Sequence, residues 1–115
     1  MAYSRASGTL PASVNEILAA ASHAEPPRTV DVLLSNDSGA QEVELFISVL
    51  GGTARRIVHV ELEENELAYV TGVYLDYGDS LLGSATDAGA VAYVIQPSEG
   101  TSFQVVALAV NGGVK

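Results

Sequence analysis

Apolar and polar residues alternate with a period of two through most of the chain, in runs that break at Gly, Asn, Asp, Ser or Pro about every 8–12 residues. A helix needs apolar positions three and four apart, so this spacing selects strands. Gln41 to Leu50 is the clearest case: Val43, Leu45, Ile47 and Val49 alternate with Glu42, Glu44, Phe46 and Ser48. One face is core and the other is wet, apart from Phe46. Before it, Arg28 to Ser35 sets Val30, Val32 and Leu34 on one face, and Asn36-Asp37-Ser38-Gly39 supplies a turn, with Gly39 as its structural glycine. After Gly51-Gly52, Arg55 to Leu62 places Val58, Val60 and Leu62 on one side and Ile57, His59 and Glu61 on the other. The acidic turn Glu63-Glu64-Asn65 and a short strand from Leu67 to Val73 follow. The last run, Thr101 to Val110, is apolar on both sides, with Phe103, Val105, Ala107 and Ala109 facing away from Val106, Leu108 and Val110.

The stretch from Gly72 to Gln96 reads as a β-hairpin around which the rest is organised. Gly78-Asp79 launches one strand, and Asp87-Ala88-Gly89 returns the chain into Val91, Tyr93 and Ile95. Gly78, Asp79 and Gly89 are structural turn residues on this reading, and the two glycines are where positive φ is expected. Ser13 to Ala21 can be read two ways. Ser13-Val14-Asn15-Glu16 is a capping-box pattern before an alanine-rich helix former, yet Asn15 to Ala20 also serves as a first strand in a β-rich chain. The expected architecture is all-β: a single-domain antiparallel β-sandwich, jelly-roll-like, because no crossover helices are available for a parallel sheet. Residues 1–12, small and polar with Gly8 and Pro11, read as an extended N-terminal arm without a core, and residues 13–115 as the sandwich domain. On that division, removing Met1 to Pro11 leaves the isolated domain's melting temperature nearly unchanged while weakening assembly.

A chain of 115 residues suits one domain. With 48% hydrophobic and only 17% charged residues, it has little charge to wet a small monomer's surface, so part of that surface is expected to be covered by a partner. Candidate partner-facing residues are Tyr3, Arg5 and Leu10 in the arm and Phe46 and Ile57 on the strands. Fourteen acidic against five basic residues give a net charge of −9, which repels a phosphate backbone, so no nucleic-acid partner is expected. No apolar run reaches bilayer length, so no membrane association is expected either. The N-terminus has no leucine-rich core of a secretory signal, and the lack of cysteine removes disulfides and thiolate chemistry.

Gly78-Asp79-Ser80-Leu81 spells the nucleophile block of the GDSL esterases. That block belongs near the start of a much longer α/β domain whose base is a late Asp-x-x-His. Here both histidines, His23 and His59, precede Ser80. A serine without a general base is inert at neutral pH, so no catalytic residue is assigned. Glu61, Glu63, Glu64, Glu66, Asp76 and Asp79 match no calcium-loop spacing, and two separated histidines make no zinc site. No metal or cofactor is therefore expected. Tyr69, Tyr74, Tyr77 and Tyr93 are spaced wrongly for one glycan-stacking platform and read as packing residues with hydroxyls at the rim.

Five segments in order carry a family resemblance: Val30-Asp31-Val32-Leu33-Leu34-Ser35-Asn36, Val43-Glu44-Leu45, Glu66-Leu67, Leu75 to Leu81 with its Leu-x-x-Gly-Asp-x-Leu pattern, and Gly89-Ala90-Val91. Together they resemble the small virion proteins of tailed bacteriophages over roughly the middle two-thirds of the chain. The resemblance implies that Asn15 to Ala20 is a strand and Gly78-Asp79 a structural turn. It also implies a non-enzymatic building block of the virion. The expected role is a capsid decoration or cement protein, or else a tail or head-tail connector component. The implied partners are the major capsid protein or another virion protein, and further copies of the chain in a homo-oligomer, dimer or trimer. The rival expectation is a glycan-binding sandwich. The chain departs from the family at Ala19 to Pro27 and in the extra length of Thr101 to Val110.

Overall fold

A computed structural model of the chain describes residues 6–18, 27–49, 52–76, 78–98 and 102–109. Among them the secondary structure is entirely strand: β1 (Ala6–Thr9), β2 (Asn15–Leu18), β3 (Arg28–Asn36), β4 (Gln41–Val49), β5 (Ala54–Leu62), β6 (Glu66–Leu75), β7 (Asp79–Ser84), β8 (Val91–Pro97) and β9 (Gln104–Ala109). They form two antiparallel sheets, a five-stranded one in the order β1-β8-β3-β6-β9 and a four-stranded one in the order β2-β7-β4-β5. The two-way reading of Ser13 to Ala21 resolves at β2 in favour of strand. Pairing with β7 buries Ile17, a return that an isolated helix lacks.

The expected alternation holds over most of β3 to β6, but it fails at the end of β4, where Val49, expected in the core, is exposed and Ser48, expected to be wet, is buried with its hydroxyl donating to the Gly52 carbonyl (2.8 Å). Val30, Val32 and Leu34 of β3, Val43 and Leu45 of β4, Val58 and Leu62 of β5, and Val70, Val73 and Leu75 of β6 meet between the sheets. Only β4 and β5 are consecutive strands that pair with each other; the other links either cross between sheets or, from β8 to β9, pass over β3 and β6.

The expected hairpin at Gly72 to Gln96 is therefore not formed. β7 lies in the four-stranded sheet and β8 in the five-stranded one. The Ala85–Ala90 connection arches from one sheet to the other, and the N-terminal segment runs antiparallel beside it. Thr9 pairs with Ala92 in one sheet and Asn15 with Gly83 in the other. Between them, the Leu10 N–H donates to the Val91 carbonyl (2.8 Å), the Leu10 carbonyl accepts from Gly89 N–H (3.1 Å), and the Pro11 carbonyl accepts from Ala85 N–H (2.9 Å). Asp-Ala-Gly serves an inter-sheet arch as well as a hairpin, because both require only a tight change of direction with Gly89 at positive φ, here 82°. β7 and β8 thus each take one of their two partners from the N-terminal segment, which is distant in sequence.

Over the described residues 6–11 the same contacts overturn the core-free arm, while residues 1–5 lie outside the described residues. Ala6–Thr9 is an edge strand, and Leu10 is wholly buried at 0% exposure, its Cδ2 only 2.9 Å from where a methyl on Gly83 would sit. Leu10 is thus a core residue and not a partner-facing one. Burying it contributes about 1.5–3 kcal/mol. Deleting residues up to Pro11 removes that side chain and an edge strand, so it cannot leave stability unchanged.

Asn36 locks the end of the sandwich where two inter-sheet links meet. It is buried, its Nδ2 donates to the carbonyls of Gly39 (3.0 Å), Leu62 (3.1 Å) and Glu63 (3.0 Å), and its Oδ1 accepts from Ser38 N–H (3.1 Å). The Asn36 carbonyl accepts from Asn65 N–H (2.8 Å), and Asn65 takes φ of 68°, a value asparagine tolerates better than most side chains.

Candidate functional site

The outward faces of the two sheets differ in chemistry. On the five-stranded sheet, ladder pairing puts Val94, Leu33, Tyr69 and Val106 in one row across β8, β3, β6 and β9. Leu33, Tyr69 and Val106 are exposed and Val94 half-buried, so an apolar stripe crosses this face. Beside it, β6 bulges at Thr71-Gly72, where Gly72 takes φ of 70°. The Gly72 N–H donates to Asp31 Oδ1 (2.9 Å), and the Tyr69 hydroxyl approaches Asp31 Oδ2 at 3.4 Å. Asp31 is buried, so the bulge turns its carboxylate into a structural acceptor. Tyr74, further along β6, is exposed.

The stripe ends on β9, whose exposure follows from the unequal sheets. β5 closes the four-stranded sheet and touches both β6 and β9, leaving β9 incompletely covered. Val105 and Val106, which point to opposite faces, are 41% and 44% exposed, and Phe103 just before the strand is 50% exposed.

The four-stranded sheet is polar outside. Glu44 accepts from Arg56 at 2.7 Å and Glu42 lies 3.6 Å from His59. Phe46, expected to face a partner, is half-buried and sits in a row between Leu82 and Arg56. Ile57, given the same role, is the extra residue of a β-bulge in β5, which turns it to pack against the core. A shallow acidic depression lined by Ala40, Gln41, Glu42, Glu61, Glu63 and Thr86 lies at one end. Its floor is tied internally: Gln41 Nε2 donates to Asp87 Oδ2 (3.0 Å), Gln41 Oε1 accepts from Asp87 N–H (2.8 Å), and Glu42 N–H donates to Thr86 Oγ1 (2.8 Å). Among the described residues, no group of three or more His, Cys, Asp or Glu side chains has metal-binding geometry.

At the GDSL segment, Gly78 takes φ of 88° and the Asp79 carboxylate accepts from Asp76 N–H (3.2 Å), closing the turn. Ser80 is buried opposite Ser48 of β4. His59 lies two strands away, in the row of Glu44 and Ser84 instead of that of Ser80. Tyr3, Arg5, Tyr77 and His23 lie outside the described residues. Gly39 is exposed and does not take positive φ; its carbonyl serves Asn36. Tyr93 packs against the core beside Gly8, while Tyr69 and Tyr74 are separated by the β6 bulge.

The surface residues that sequence reasoning did not select are Leu33, Phe103, Val105 and Val106. For Phe103, Val105 and Val106 the signal was the two-sided apolarity of residues 101–110, which fits a covered strand as well as an uncovered edge; for Leu33 it was an apolar residue at a position that the alternation of β3 turns outward. Comparison with protein families, with curated proteins and with solved structures returns no match.

Proposed function

We propose that the chain is a non-enzymatic structural subunit of a tailed-phage virion, a capsid decoration protein that stabilises the shell through contacts with the major capsid protein and with its own copies. The observation that carries this reading is the apolar stripe Val94–Leu33–Tyr69–Val106 on the outer face of a molecule with net charge −9. An acidic chain that works alone gains nothing from leaving that stripe open. Burial of such area contributes about 25 cal/mol per Å² before association costs, and repetition over a shell multiplies modest contacts.

The pairing scheme supports the finer fold assignment. β1 with β8, β2 with β7, β3 with β6 and β4 with β5 describe one long antiparallel ribbon wrapped over itself, the plan of an eight-stranded jelly roll, with β9 added beside β6. Viral shell proteins use that plan among other proteins, so it is an argument by analogy. The segments that carry the family resemblance fall on β3, β4, the start of β6, the end of β6 and start of β7, and the entry to β8. Adding the purified chain to phage shells that lack it tests the reading. The expected result is saturable binding at a fixed number of copies per shell and a higher temperature of shell opening. No binding at micromolar concentration, with the chain folded, rejects it.

A further inference from the structure

Three of the four sheet edges carry a feature that discourages another strand from pairing. β1 has four residues and includes Gly8; β2 has four, a register break and the exposed Glu16; β5 has the bulge at Ile57 and exposes Arg55, Arg56, His59 and Glu61. β9 has none of these. Its six residues, Gln104-Val105-Val106-Ala107-Leu108-Ala109, contain no charge, Gly or Pro, and they pair with β6 without a register break. Its apolar side chains at Val105 and Val106 are exposed on opposite faces.

We infer that β9 is the self-association edge, pairing antiparallel with β9 of a second copy to join two five-stranded sheets into one continuous sheet across a two-fold axis. The inference rests on the reading of the chain as an assembling subunit and names the surface it uses. Charge selects the approach: two copies of net charge −9 repel, and the uncharged, apolar β9 edge is where that repulsion penalises contact least. Symmetry selects the closed form, because an antiparallel edge meeting its own copy is isologous and stops at a dimer. A six-residue edge extends about 20 Å, and with Phe103, Val105 and Val106 the pair covers on the order of 1,000 Å², near the lower limit for a specific dimer. A weak, concentration-dependent dimer follows, reinforced when a shell holds copies side by side.

The full chain in sedimentation velocity at rising concentration should pass from monomer to dimer with a micromolar dissociation constant. Val106→Lys, an edge charge, should weaken the dimer at least tenfold and leave the far-ultraviolet spectrum and melting temperature of the monomer unchanged. Because the chain has no cysteine, Val105→Cys, Val106→Cys and Ala107→Cys each place a single thiol on the edge, and at least one should cross-link two copies under mild oxidation. A wild-type chain that stays monomeric at several hundred micromolar overturns the inference. So does a dimer that Val106→Lys does not weaken, or one in which none of the three thiols cross-links. The assembly reading fails separately, if the chain does not bind shells; a monomer that binds shells keeps that reading and discards the β9 dimer.

Discussion

Leu10→Ala puts the N-terminal ribbon to the test. The side chain is wholly buried between the sheets against Gly83, and its backbone stays bonded to Val91 and Gly89 whatever the side chain is. The substitution therefore isolates packing. Loss of a buried leucine costs about 2–5 kcal/mol, and at roughly 4 °C per kcal/mol for a domain of this size the melting temperature should fall by about 8–20 °C. Gly83 supplies an internal check, because a methyl there meets Leu10 Cδ2 at 2.9 Å and Leu45 Cδ2 at 3.1 Å. In the wild type, Gly83→Ala should cost about 1 kcal/mol from overpacking, partly offset by the backbone entropy that alanine removes. In the Leu10→Ala background the closest of these contacts disappears, leaving Leu45 Cδ2 at 3.1 Å, and the methyl fills part of the cavity, so the same change should cost less than in the wild type or be stabilising. The expected coupling is about 1–2 kcal/mol, read from urea unfolding of the four proteins. A loss below about 0.5 kcal/mol for Leu10→Ala, the value of an ordinary surface change, would show that the ribbon does not belong to the core. Additive single and double variants would show that Leu10 and Gly83 do not touch.

Asn36→Ala removes the buried donor that serves three carbonyls, and it should cost about 2–4 kcal/mol, whereas Asn15→Ala, where the amide is exposed and bonds only Ser13, should change stability by less than about 0.5 kcal/mol; chemical denaturation of both variants checks the contrast. Gly89→Val should cost about 1–3 kcal/mol through backbone strain alone, since φ is 82° and the space around a Cβ is open, while the exposed Glu63→Ala should be nearly silent in the same thermal melt.

The strand faces were legible in the sequence because alternation records burial on one side. Val43 and Leu45 inward with Glu42 and Glu44 outward is a pattern that only one orientation satisfies. Strand partners were not legible. Asp87-Ala88-Gly89 has the composition of a hairpin loop, and what diverts it into an inter-sheet arch is Leu10-Pro11, distant in sequence and bonded to it through main-chain atoms that carry no residue signature. The small, polar character of residues 6–9 likewise concealed an edge strand, since such a strand is held mainly by backbone bonds. At the candidate surface, Tyr69 was recognisable as a residue at the rim. The bulge that buries Asp31 beneath it depends on Gly72, whose positive φ no neighbouring residue announces. Ile57 followed the alternation in sequence and left it in the structure for the same kind of reason, a bulge.

Cryo-electron microscopy of virions produced with and without the chain is the most direct measurement of its role. The account predicts that the two maps differ by a two-sheet sandwich seated on the outer shell in repeated copies, with the outer face of the five-stranded sheet buried in a contact. Identical maps, with the chain absent from the purified particles, would contradict it.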